Sequence, residues 1–433
     1  MIIAKRLRVR PVALLTAALM IMSAGVSDSF AATVAKPKAT KPATLSGTAK
    51  IDSTINGAKG TWQGSPTFTY KWYSCSTSGS ARTTVPSGCS AIGSATKTSF
   101  LITTSQLGKY LRFLVTAKNR GGSVISVSAA TTKVTSPYQL LWSDEFNGPA
   151  GVPSTVQTTD KGADSTLPWK AMVSGWGGGN RERQYYTDGV VQYNADGTVK
   201  QHAIELDGKG NLLLNAAKPQ AAGDNHPSTA PAENCWYGPC EFVSGRIDTQ
   251  GRIGFKNGLL EARVKIPSSP STWPAFWMLG ANYPEVPWPI CGEIDIMETA
   301  STRDRGYSYF GSLHSRPSNG IGITKTMGSL DLYSGYHTFG LLRTPNKIDF
   351  RFDGQTYFSI TKAEATSSTW AVNGQNREWP FDQEYFMILN LAMGGTLGGG
   401  PGGLTVPAAT GGTLAVDWVR FSSVNGIGEV ITH

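Results

Sequence analysis

Outside its extreme N-terminus the chain lacks any apolar run approaching the ~18 residues that a membrane-spanning helix needs, which excludes stable membrane insertion by helices. Helical periodicity is nearly absent too, since no long segment keeps apolar residues at i, i+3, i+4 and i+7. The 50 glycines and 24 prolines among 433 residues suit a turn-rich all-β protein larger than one ordinary domain. Cysteine and histidine are scarce at five each, and their spacings supply no recognisable zinc-ligand set. Acid is almost missing from residues 32–137, which hold 13 basic residues and 1 acidic one, near +12; the rest of the chain beyond them holds 22 basic and 28 acidic, near −6. This asymmetry points to two modules with different jobs.

The N-terminus carries Lys5, Arg6, Arg8 and Arg10, an apolar run from Val12 to Val26, and the small-residue site Ser29-Phe-Ala31. It reads as a secretory signal over residues 1–31, so the mature protein is expected to be secreted and extracellular. A Lys/Pro/Thr-rich linker follows at 32–43. Residues 44–135 then show short alternating runs, such as Phe68 to Tyr73 and Tyr110 to Thr116, separated by glycine and serine turns, as in a small β-sandwich. Cysteine usage agrees with export: Cys75 can pair with Cys89, and Cys235 with Cys240 around Trp-Tyr-Gly-Pro, leaving Cys291 as a buried small hydrophobe.

The segment Gly292-Glu-Ile-Asp-Ile-Met-Glu298 sets three carboxylates among apolar residues in what otherwise reads as a buried strand. Strand side chains alternate faces, so Glu293 and Asp295 share one face while Ile294 and Ile296 take the other. Glu298 breaks the alternation and would face the core unless a β-bulge, most simply at Met297, absorbs one residue. Like charges and burial both raise carboxyl pKa values, so at least one acid keeps its proton near neutrality. A protonated acid beside an ionised one is what retaining glycoside hydrolysis uses; the same pattern also fits a solvated edge strand or a divalent-metal site.

Just upstream, Trp273-Pro-Ala-Phe-Trp-Met-Leu-Gly280 places Trp273, Ala275, Trp277 and Leu279 along one face of a strand. Indole rings offer a flat apolar face to pyranose C–H groups and an N–H at the edge, although an isolated tryptophan is more often core. Two of them beside the acids favour a sugar site.

With these residues in view, the chain from about Leu140 to Phe421 resembles bacterial laminarinase-type members of glycoside hydrolase family 16. The matching pieces run in order: Trp142 to Asn147, Asn180 to Thr187, Gly258 to Lys265, the tryptophan strand, the acidic strand, Trp379 to Gln383 with Ile388 to Leu391, and Val416 to Arg420. The resemblance implies a concanavalin-like β-jelly-roll sandwich over residues 138–433 and a retaining endo-β-1,3-glucanase. In that pattern Glu293 is the nucleophile, Glu298 the general acid and base, and Asp295 the partner that tunes the nucleophile; no cofactor is needed for the chemistry. Asn180, Arg246, Trp273, Trp277, His314 and Asn390 would line the substrate groove, where Arg246 could equally be a structural ion-pair partner and His314 a satisfied strand histidine. A structural calcium would be held by Glu145, a Gly210 carbonyl and Asp417, residues that could instead be ordinary surface acids.

The chain departs from the commonest pattern at Arg181, at an additional glycine in the Gly175 to Gly179 loop, and at Arg316, where a long side chain could alter the acceptor side. Residues 44–135 resemble the immunoglobulin-like modules of secreted actinobacterial proteins through Gly60-Thr-Trp62 and Lys71-Trp-Tyr-Ser-Cys75. The expected partner is a β-glucan polysaccharide, with an anionic cell-wall polymer as a second partner of the basic module; the alternative for that module is a soluble lysine-rich spacer. Nucleic acid is not expected after export, and the protein is expected to be a monomer. Rival functions are a family 16 hydrolase or transglycosylase acting on mixed-linkage glucan or a galactan, and a glucan-binding protein without turnover.

Overall fold

The computed structural model describes residues 33–158, 166–301, 308–317, 321–326 and 331–433, so the signal expected at 1–31 lies outside the described residues. The chain divides into two compact units at Thr135/Ser136. No helix among the described residues is long and apolar enough to cross a membrane.

In the first unit, a four-stranded antiparallel sheet runs in the order Cys89–Ala91, Thr67–Cys75, Tyr110–Asn119, Gly122–Val127, and a three-stranded sheet pairs Thr44–Ser46, Thr54–Ala58 and Ser99–Leu101. Their apolar faces meet at Trp72, whose ring lies 5.0 Å from Phe113 on its own sheet and 5.5 Å from Phe100 on the other. Buried indole needs a partner for its N–H, and Trp72 Nε1 donates to the Lys97 carbonyl at 2.9 Å. The Cys75–Cys89 disulfide ties neighbouring strands at this core. Lys36, Lys38, Lys41, Lys59, Lys97, Lys109, Lys118 and Lys133 are all exposed.

The second unit is built on two mixed sheets of ten described strands each, packed on a shared apolar core, with a separate two-stranded sheet of Val190–Tyr193 and Val199–His202. Five strands of one sheet build the site: β1 (Arg246–Asp248), β2 (Thr272–Gly280), β3 (Glu293–Glu298), β4 (Ser308–His314) and β5 (Tyr385–Met393), lying side by side in the order β1, β5, β2, β3, β4. Their alternation sends Phe276, Met278, Ile294, Met387 and Leu389 inward, against Leu260, Ala262, Val264, Phe339, Leu341, Phe350, Val416 and Val419. The opposite face of the same strands forms a cleft of ≈ 900 Å³.

Candidate active site

Glycine opens the acidic strand for a steric reason. Gly292 has φ +79°, and a β-carbon there would stand 2.0 Å from the Tyr385 hydroxyl. The strand register then shows how three acids reach one face. Leu279 pairs with Glu293, Trp277 with Asp295, Phe276 with Met297 and Ala275 with Glu298, so the pairing passes over Ile296. Across β4 the step from Asp295 to Glu298 likewise spans only Ser312 to Phe310. The surplus residue of the β-bulge is therefore Ile296 and not Met297. Both side chains are in the core, together with Ile294. Their burial contributes roughly 1.5–3 kcal/mol each, which offsets the cost of crowding the acids.

The three acids face the cleft alongside Trp273, Ala275, Trp277 and Leu279. Asp295 is the most enclosed, its side chain 4% exposed against 18% for Glu293. His314 Nε2 lies 2.9 Å from Asp295 Oδ2 and 3.6 Å from Glu293 Oε1. Asp295 and Glu293 also share a hydrogen bond, and the Trp288 side chain bonds to Glu293. Glu298 Oε1 accepts the Trp273 indole N–H at 3.0 Å.

Burial raises all three carboxyls. It pushes Glu293 well above its ordinary range, with Asp295 adding repulsion, and pushes Asp295 and Glu298 up to about 8. Protons in so tight a group leave in steps that belong to the cluster. Cys291, next to the strand and buried, is held as a thiol by burial and by Glu293, its pKa pushed up to about 11, so it is no nucleophile.

One stability consequence follows. Folded Glu298 keeps a proton that the unfolded chain gives up near 4.5, so its contribution to stability is full below that value and is lost as pH rises toward about 8. Glu298→Gln cannot ionise and is expected to melt higher than wild type at pH 8, with the gap closing toward pH 5. Melting curves across that range check this; a gap that does not depend on pH would contradict it.

A second network joins the rest of the wall. Trp277 Nε1 donates to Asn390 Oδ1 at 2.7 Å, Asn390 Nδ2 donates to the Tyr186 hydroxyl at 3.0 Å, and Tyr186 donates to Glu182 Oε2 at 3.1 Å. Arg246 pairs across β5 with Asn390 and lays its guanidinium 5.0 Å over the Trp277 ring. Glu182 and Asp248 balance its charge at longer range, and its Nε is buried with no hydrogen-bond partner. Desolvation holds Glu182 above the usual carboxylate range.

Comparison with known proteins reads this arrangement independently. The family model described as "XgeA-like, catalytic GH16 domain" matches residues 244–330. A β-glucanase of Rhodothermus marinus is 30% identical over 293 residues, covering 65% of this chain and 84% of that protein. The chain belongs to glycoside hydrolase family 16. It is also 28% identical to glucan endo-1,3-β-glucosidase A1 of Niallia circulans, covering 68% of this chain but 39% of that longer protein. The solved catalytic domain of an endo-1,3-β-glucanase (laminarinase) from Thermotoga petrophila RKU-1 superposes with a TM-score of 0.50 at 27% identity, covering 66% of this chain and 98% of that one. The all-β jelly-roll expectation agrees with this neighbour.

Within this family 16 cleft the structure brings together Asn180, Arg246, Trp273, Trp277, Glu293, Asp295, Glu298, His314 and Asn390. Trp273 is only 6% exposed, so it offers its edge N–H to Glu298 more than a broad face to sugar. Sequence reasoning passed over Trp288 and Tyr186 as site residues. Trp288 was visible as an aromatic in the Pro-rich approach to the acids; Tyr186 acquires its role only through contacts with distant β5. Arg316 is not among the residues lining the cleft, and its Nε stands 3.8 Å from Glu378.

The calcium expectation meets a different donor set. Glu145 is held bidentately by Arg420, at 2.9 and 2.8 Å, and Asp417 is paired with Arg263. A cation using Glu145, Gly210 and Asp417 would have to displace both guanidinium groups, so these residues as placed do not fit it.

Proposed function

We propose that the protein is a secreted, endo-acting hydrolase of β-1,3-glucan that retains anomeric configuration. The observation that carries this reading is the bulge at Ile296, which sets Glu298 on the same cleft face as Glu293 and Asp295. In the first step the Glu293 carboxylate attacks the anomeric carbon while Glu298 gives its proton to the departing glycosidic oxygen. In the second, Glu298 takes a proton from water, whose oxygen displaces Glu293 and leaves a hemiacetal of the original configuration. Against the burial and the Asp295 repulsion that raise it, ionised Glu293 is helped by the Trp288 hydrogen bond and by His314 Nε2 at 3.6 Å, and it is the more exposed member of its pair. His314 in turn orients Asp295.

The linkage rests on likeness to glucan-cleaving relatives, and the presence of all three acids favours turnover over mere binding. Incubation with curdlan-type β-1,3-glucan, mixed-linkage glucan and agarose tests it: internal cleavage of the first is expected, with Glu293→Gln inactive. Cleavage of agarose alone would move the protein to a galactan-acting reading; binding without cleavage would make it a lectin.

For residues 44–135 the proposal is an immunoglobulin-like module whose exposed lysines hold the enzyme against an anionic wall polymer. Retention of the protein on cell walls at low salt, and its release at high salt, is the expected result. Absence of retention at low salt ends that idea.

A further inference from the structure

Among the described residues three tryptophans stand well exposed, Trp176 at 57%, Trp288 at 49% and Trp236 at 47%. They are not scattered. Trp288 lines the cleft beside Glu293, Trp176 lines it beside Asn180, and Trp236 lies against the loop that carries Trp176. A single exposed indole needs no explanation, but placing all of them around one groove puts flat apolar faces where a polysaccharide chain would run.

The Trp176 loop is held from both sides. On one side Thr396 N donates to the Asn180 carbonyl at 2.8 Å, and Glu182 bridges to Gly394. On the other side stands a short hairpin closed by the Cys235–Cys240 disulfide. Trp236 N donates to the Gly175 carbonyl at 3.0 Å and Trp236 Nε1 to the Glu182 carbonyl at 2.8 Å, so one residue grips both ends of the loop. The loop is shaped to receive it: Gly177 has φ +81°, and a β-carbon there would stand 2.5 Å from the Trp236 ring. Tyr237 continues the contact by donating from its hydroxyl to the Arg183 carbonyl at 2.6 Å, while the Arg183 guanidinium lies 3.4 Å from the Tyr237 ring centre. None of these bonds uses the Trp176 ring, which lines the cleft and is 57% exposed.

We propose that Trp176 is an outer platform for a further glucosyl ring, beyond those held at Asn180 and Trp277, and that Trp236 on its disulfide-closed hairpin is the residue that positions it. This rests on the β-glucan reading given above. The platform contacts only chains long enough to reach it, so its loss shows as a change in length preference.

The experiment compares kcat/KM on a long β-1,3-glucan with kcat/KM on a β-1,3-linked trisaccharide, for wild type, Trp176→Ala, Trp176→Tyr and Trp236→Phe. Trp176→Ala is expected to reduce the polymer-to-trisaccharide ratio about fivefold, through KM for the polymer, and Trp176→Tyr to restore most of it. Trp236→Phe, which deletes the bond to Glu182 while keeping an aromatic ring in the hairpin, is expected to move the ratio the same way by a smaller factor. An unchanged ratio in Trp176→Ala, or an equal loss on both substrates, overturns the platform; an unchanged ratio in Trp236→Phe overturns the positioning role. Wild type is the control that separates the two readings: if it cleaves glucan and the ratio does not move, only the platform falls, whereas failure of wild type to cleave either substrate removes the β-glucan reading and the platform with it.

Discussion

Glu293→Gln is expected to lower glucan hydrolysis by on the order of 10⁴-fold or more, because the amide cannot form the covalent bond on which both half-reactions depend. The substitution is nearly isosteric, and the Trp288 bond that now reaches Glu293 can still be accepted by the amide oxygen. Folding should therefore survive, and glucan binding with it. Loss of chemistry with retained binding, measured by titration of the variant with glucan, distinguishes a missing nucleophile from a collapsed cleft. A variant that keeps a tenth of wild-type turnover would show that another group attacks the anomeric carbon.

The second large effect belongs to Glu298 and depends on the leaving group. Glu298→Gln should lose about 10²–10⁴-fold on glucan, whose departing sugar oxygen needs a proton. On an aryl glycoside with an acidic phenol, which departs without help, the first step should stay close to the wild-type rate. Azide, a nucleophile that requires no general base, should then restore turnover and yield a glycosyl azide of retained configuration. The wild-type pH profile is tied to the same residue. As a general acid Glu298 works when protonated, so kcat/KM should fall as pH rises through about 8, the value to which burial pushes it. The acid limb should lie above the ordinary glutamate range, because burial raises Glu293 as well. An alkaline limb that stays in place in Glu298→Gln would assign that titration elsewhere.

What the sequence disclosed follows from the range over which each signal acts. Alternation along a strand is local, so the shared face of Glu293 and Asp295, and the need for a bulge before Glu298, could be read directly from seven residues. Which residue the bulge absorbs could not, since Ile296 and Met297 are both apolar and both enter the core; only the pairing of Phe276 with Met297 separates them. The two aromatic positions of β2 were legible for the same reason as the acids. The chain of bonds from Trp277 through Asn390 and Tyr186 to Glu182 links residues that are more than two hundred positions apart at its widest step, and no local pattern announces it.

Polar side chains that choose between partners were the least legible. Arg316 had the length to reach the cleft or Glu378, and in the fold its Nε stands 3.8 Å from Glu378. Glu145 and Asp417 carried the right oxygens for a cation, yet Arg420 and Arg263 claim them. Cys235 and Cys240 showed as a tight loop in sequence, but their consequence for the wall of the cleft rests on where Trp236 lands. In each case the residue type was evident and the partner was set by tertiary packing.

The configuration of the first-formed product tests the central geometry most directly. Proton NMR of the anomeric region during the first minutes of β-glucan cleavage, before mutarotation, should show the β-anomer of the new reducing end appearing first. First appearance of the α-anomer would mean a single displacement by water, and would contradict an attack by Glu293 with Glu298 poised beside it on the same face of the strand.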